Sequence, residues 1–158
     1  MAKLLCYASV EGVFTALATT AGWKTLLQVL APTDQRIEIN SYGLYPKGTV
    51  NSDPAVKLRL VKQSDAGAGG TAVTVGKRTP GASETPRTSV LRGPFTTEPT
   101  VTGVAVDLKN VHPQQGFEEP ELVPGQWIIA GGERVALQYM NDAGGAAIPA
   151  DTDIAWEE

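Results

Sequence analysis

The side chains that could do chemistry are few and scattered. His112 is the only histidine and Cys6 the only cysteine. A histidine-based metal cage is therefore ruled out, and a Ser-His-Asp triad would have to use His112. That residue sits in Val111-His112-Pro113-Gln114, just past an expected strand, and no Gly-x-Ser-x-Gly elbow accompanies it. It reads as a surface or structural histidine rather than a general base. Glu118, Glu119 and Glu121 cluster, as do Asp151 and Asp153. Glycosidase chemistry needs two carboxylates facing each other across a cleft, and a calcium loop needs a glycine-turned segment that neither cluster has. Both clusters read as solvated loop charge.

Two glycine-rich strings invite a phosphate-loop reading. Gly70 to Gly76-Lys77 is one residue too long, and Arg78 stands where Ser or Thr should meet magnesium. Gly67-Ala68-Gly69-Gly70-Thr71-Ala72 fits a loose dinucleotide string, but no helical periodicity follows it. Both are turn glycines. No catalytic, cofactor-binding or metal-binding residue is assigned, and the chain is expected not to be an enzyme.

The elements that would position any site are strands. Val56, Leu58 and Leu60 alternate with Lys57 and Arg59, and Val135, Leu137 and Tyr139 with Arg134, Ala136 and Gln138. Val104, Val106 and Leu108 alternate with Ala105, Asp107 and Lys109, and Ile37 and Ile39 with Arg36, Glu38 and Asn40. Strands are expected at about 24–30, 36–45, 55–62, 71–76, 101–111, 126–130, 133–140 and 152–157. Leu58, Val106, Leu137 and Tyr139 are placed on inward faces. Turn strings such as Tyr45-Pro46-Lys47-Gly48, Val123-Pro124-Gly125 and Gly131-Gly132 separate the strands. About eight short strands predict an all-β fold, an antiparallel β-sandwich or jelly roll. The one helix candidate, residues 12–22, is weakened by Thr, Val and Gly.

At 158 residues the chain makes one domain, large enough to fold without disulfide or metal. Residues 1–22 are expected to form an extended arm or an extra strand before a β-domain at 23–158, interrupted by a long loop at about 76–100. The opening Lys3-Leu4-Leu5-Cys6 is a poor signal peptide because Glu11 breaks the apolar run. No stretch approaches the length of a membrane span. Charge is lopsided: residues 31–92 carry nine Lys/Arg against five Asp/Glu, while 93–158 carry two against eleven. Such a split suits a subunit that contacts copies of itself, and the net charge of −4 disfavours nucleic acid. Within the loop Lys77, Arg78, Arg87 and Arg92, stiffened by Pro80, Pro86, Pro94 and Pro99, are the partner-binding candidates. Trp23, Trp127 and Trp156 could stack on sugars, against core packing as the plainer role.

Several strings together carry a resemblance. Phe95-Thr96-Thr97-Glu98-Pro99-Thr100 precedes the strand Val104–Leu108, then come Val111-His112-Pro113-Gln114-Gln115-Gly116-Phe117, Val123-Pro124-Gly125 and the final Ile154-Ala155-Trp156-Glu157-Glu158. In this order the chain, over roughly 31–158, resembles the small jelly-roll capsid decoration (cement) proteins of tailed bacteriophages. It departs from them in its first 30 residues and around 77–94. The resemblance implies a virion structural protein on the outer capsid surface, made in the host cytoplasm. It implies a trimer that clamps major capsid protein subunits, with no catalysis, cofactor, nucleic acid or membrane. The alternative is a fibre or tip module recognising a host-surface carbohydrate or protein.

Overall fold

A computed structural model describes residues 4–11, 22–47, 56–78, 81, 83–112, 114–119, 127–141 and 149–158, without the side chains of Val106 and Asn141. The described residues contain twelve strands and no helix. They are β1 (Leu5–Val10), β2 (Lys24–Leu30), β3 (Ile37–Pro46), β4 (Val56–Gln63), β5 (Thr71–Val73) and β6 (Gly76–Lys77), then β7 (Ser89–Arg92), β8 (Val101–Val111), β9 (Phe117–Glu119), β10 (Ile128–Ile129), β11 (Arg134–Asn141) and β12 (Ala150–Glu157). Sheet A runs β10-β3-β12-β1-β6, with β9 also on β3; sheet B runs β5-β7-β2-β11-β4-β8. All described pairings are antiparallel. The two sheets pack as a sandwich, so each strand sends alternate side chains inward. Trp156, Tyr42, Leu26, Leu27, Leu58, Leu60 and Leu137 are fully buried between them. The helix candidate at 12–22 falls almost wholly outside the described residues.

Three expectations are refined by the structure. Of the two alternatives for residues 1–22, an extended arm or an extra strand, Leu5–Val10 take the second. Cys6, Ala8 and Val10 are buried, and β1 lies hydrogen-bonded between β12 and β6. Leu4 and Glu158 also exchange both backbone hydrogen bonds, at 3.2 and 2.9 Å. Its short Leu-Cys-Tyr-Ala-Ser-Val run has few large apolar side chains, because small residues suffice where Trp156 fills the space.

The stretch 76–100 is not one free loop. It supplies β6 and β7, and Val90 and Phe95 are buried. Residues 93–100 then cross from β7, near one edge of sheet B, to β8 at the opposite edge. Gly93 begins this strap by donating its N–H to Leu26 O at 3.0 Å. A Cβ there would lie 2.4 Å from Thr25 O, so only glycine permits the approach.

The third concerns the phase of β8, where Val104 and Leu108 do not lie on the inward face that their alternation suggested; the side chain of Val106, also expected inward, lies outside the described ones. Leu58 pairs with Lys109 and Leu60 with Asp107, whereas Lys62 pairs with Thr102. From one pairing to the next β4 advances two residues (60 to 62) and β8 five (102 to 107), so three extra residues bulge out. Gly103 within the bulge has φ +81°, open to glycine and costly for most residues. Beyond the bulge Asp107, Lys109 and Val111 share the inward side with Leu58. Leu108 points outward and is 59% exposed, and Val104 is 85% exposed. The inward Asp107 closes the sandwich: Tyr42 Oη donates to its Oδ2 at 2.5 Å. Lys109 then bridges Asp107 at 3.2 Å and Glu119 at 3.5 Å.

Truncating Leu58 to Ala should therefore cost about 2–5 kcal/mol, while Leu108→Ala should stay within about 0.5 kcal/mol. Urea melts that rank the two equally would refute the β8 phase. The Tyr139 hydroxyl is buried with no hydrogen-bond partner, a condition that typically costs about 1–3 kcal/mol. Tyr139→Phe should consequently hold or raise the melting midpoint; a clear drop would show that the hydroxyl has a partner.

Candidate functional site

The four cations singled out in the sequence do not gather. Lys77 lies on β6 and donates to Glu84 O at 3.2 Å. Arg78 sits 5.8 Å over the Tyr7 ring at the edge of sheet A. Arg87 pairs with Asp34 at 2.6 Å, which holds the Asp34 carboxyl below its ordinary range. Arg92 belongs to β7 in sheet B and lines an open groove of about 470 Å³ with Ser9, Glu11 and Val73. Of the tryptophans, Trp127 and Trp156 are core residues, 5% and 0% exposed. Only Trp23 keeps a partly accessible ring. His112 is exposed and its Nδ1 accepts from Gln114 N at 3.2 Å, closing a local turn.

What the fold does build is a pair of contrasting outer faces. On sheet B the outward positions of the central strands are polar yet buried: Thr25, Gln28, Gln63 and Gln138 are all under 5% exposed. Gln28 Nε2 donates to Gln63 Oε1 (2.7 Å) and Asp65 O (2.8 Å). Gln63 Nε2 and Gln138 Nε2 both donate to Thr25 Oγ1, at 2.9 and 3.1 Å. The strap and the loop after β4 cover them: Glu98 accepts from Thr25 N at 2.9 Å, and Ala68 N–H reaches Thr97 O at 3.0 Å. Because the amides find partners under this cover, their burial is tolerated.

Arg59 ends the network. Its Nε and Nη2 donate to Gln138 Oε1 at 3.0 and 2.7 Å, and its guanidinium lies 3.9 Å from the centre of the Trp23 ring. Burial lowers its pKa without threatening its charge. Register then sets Gln138, Arg59 and Leu108 side by side, with Met140, Lys57 and Asn110 as the next row. These two rows contain cations, amides and apolar groups but no acid.

The outer face of sheet A is the opposite. Asp151, Asp153 and Glu157 point outward from β12, alternating with inward Ala150, Thr152 and Ile154. Asp153, Gly43 and Glu118 form one row across β12, β3 and β9, and Glu157 stands opposite Glu38. Gly43 leaves room that the Tyr45 hydroxyl fills: a Cβ there would lie 2.6 Å from it and 2.7 Å from Asp153 Oδ1. Burial, then the charges of Asp153 and Glu118, push the Tyr45 pKa up to about 12. Burial and Glu118 also raise Asp153, with Arg78 pulling the other way. Lys47 borders the face, paired with Asp151 at 3.0 Å. Strand pairing thus brings Glu118 of one acidic cluster beside Asp151 and Asp153 of the other on one sheet face, while Glu119 turns to the inner side with Lys109 and Glu121 lies outside the described residues. Among the described residues no group of three His, Cys, Asp or Glu could hold a metal ion.

At the far end Glu158 clasps the segment before β7. Burial acts to raise its pKa, but hydrogen bonds outweigh that and hold it low: Thr88 Oγ1 and both the Thr88 and Arg87 N–H groups (2.9 Å each) donate to it. The same carboxylate and burial drive the Cys6 thiol up to about 12, burial being the larger cause, so Cys6 is an inert core residue.

The raised Asp153 pKa gives a signed prediction. The folded state holds its proton more tightly than the unfolded chain, so its contribution to stability falls as pH rises through the folded value. Asp153→Asn should raise the melting temperature at neutral pH, with the gap closing as pH drops into the ordinary aspartate range. A gap that widens on acidification would contradict the assignment. No protein-family model, curated protein or solved structure matches the chain.

Proposed function

We propose that this chain is a structural subunit of a virion shell, a capsid decoration protein that binds and stabilises the major capsid protein and associates with copies of itself, as a trimer. The observation that carries this reading is the pair of oppositely charged, strand-built faces. One is a cationic and apolar surface around Arg59 and Leu108; the other is an acidic surface around Asp153 and Glu118. Broad faces of this kind suit protein partners, since complementary charge fixes orientation and rejects wrong contacts. The resemblance carried by the Phe95–Thr100 and Val111–Phe117 strings supplies the shell as the partner. Lys77, Arg78, Arg87 and Arg92 serve in this reading as rim charges that speed docking on an acidic capsid surface. The carbohydrate reading has less to stand on, with two of the three tryptophans inside the core.

The test is reconstitution on particles stripped of the protein. Native chain should bind saturably and raise the temperature at which shells disrupt. Replacing Lys77, Arg78, Arg87 and Arg92 together by Ser should weaken binding and flatten its salt dependence. His112→Gln should bind as the native chain does. Failure of native protein to bind any shell, with specific retention on a glycan array, would replace this reading with the carbohydrate one.

A further inference from the structure

We infer that copies of this chain associate head to tail, the uncovered part of the outer face of sheet B in one copy seating on the outer face of sheet A in the next. The inference rests on the reading of the chain as a self-associating subunit and names the contact. The strap and the loop after β4 cover the part of sheet B that carries Thr25, Gln28, Gln63 and Gln138, touching it through Glu98 and the Asp65 carbonyl. Beyond it Trp23, Arg59, Leu108 and Met140 are partly or largely accessible, and Leu108 is 59% exposed although it is a leucine on a strand. Tryptophan, arginine and methionine are the side chains most enriched at the centres of protein interfaces. Arg59 is also pre-positioned: Trp23 and Gln138 already hold its guanidinium, so little rotamer freedom is left to lose on docking.

The occupant follows from charge. The rows through Arg59 and Lys57 contain no acid, and the surface that matches them lies on the same molecule. There the Asp153–Gly43–Glu118 row and the Asp151–Tyr45 pair gather carboxylates beside a tyrosine. Glu118 repels Asp153 there more than the chain's own Arg78 offsets, Asp153 staying raised, and a neighbour's guanidinium would relieve it further. The two patches lie on opposite outer faces of one sandwich, so a copy cannot satisfy itself. A two-fold contact would set like against like. Only a heterologous contact joins the two surfaces, and such contacts make closed rings or open stacks.

Two variants test this without disturbing the Arg59–Trp23 stack. One carries Lys57→Glu with Leu108→Glu; the other carries Glu118→Lys with Asp151→Lys. Both should melt cooperatively by circular dichroism. In sedimentation at low salt each should associate at least about tenfold more weakly than native chain, a loss of about 1.4 kcal/mol. An equal mixture should recover most of it, since each variant's altered face then meets its complement. Should either variant misfold, single Leu108→Ser and Glu118→Gln changes carry the same expectation at smaller size. Variants that associate like native chain overturn this interface while leaving self-association standing. Variants that weaken association without rescue on mixing overturn the head-to-tail arrangement. A native chain that stays monomeric at low salt and high concentration overturns both the interface and the self-association it rests on.

Discussion

The buried amide network on the outer side of sheet B is the constraint around which much of the molecule is arranged. A sandwich strand needs only its inner face covered; its outer face can be left wet. Here part of that outer face is dry and lined by Thr25, Gln28, Gln63 and Gln138. Each amide left without a partner would cost about 1–3 kcal/mol, so the network demands a cover that is itself polar in the right places. The crossing strap provides it through Glu98, and the loop after β4 provides it through the Asp65 carbonyl. The chain cannot make that crossing without running β7 and β8 on opposite sides of the sheet. Strand order, strap position and the boundary of the accessible patch are thus one arrangement. Where the cover stops, Arg59 takes over as the last donor, and the surface opens to solvent at Leu108.

Parts of this were legible from the chain alone. Strands β2, β4, β8 and β11 fall close to where alternation and turn residues place them, and Leu58, Leu137 and Tyr139 are inward. β4 and β11 read cleanly because one face is aliphatic and the other mostly polar or charged. The phase of β8 did not, for a physical reason. Its inward side at an open edge carries Asp107 and Lys109, which reach Tyr42 and Glu119, while Val104 and Leu108 face out. Alternation reports which residues share a face, not which face is buried, and three bulged residues erase the phase carried from the far end. β1 was read as an arm or extra strand because its small residues carry little hydrophobic signal until Trp156 is known to lie beside them.

The candidate surfaces were legible only as composition. The charge split between the two halves of the sequence suggested complementary surfaces, and the register shows only which charged residues share a face. Lys57 and Arg59 come from β4, and the acids from β3, β9 and β12, elements that meet only through long-range pairing. The candidate cations Lys77, Arg78, Arg87 and Arg92 looked like one patch because they are near in sequence. Sheet order then sends β6 and β7 to different sheets. Proximity along a β-chain says little about proximity in space.

The pairing of β1 with β12 has a mechanical consequence. Leu5 stands opposite Glu157 and Val10 opposite Thr152, so the outer ends of the two strands emerge side by side. Tension applied between Leu4 and Glu158 would meet the ladder one rung at a time, like a zip, and peel β1 away under modest force. The same tension spread across the outer faces would load many rungs at once in shear. A sandwich wired this way resists load spread across its faces and yields when pulled at Leu4 and Glu158, so any tether or fused cargo attached there is a point of weakness.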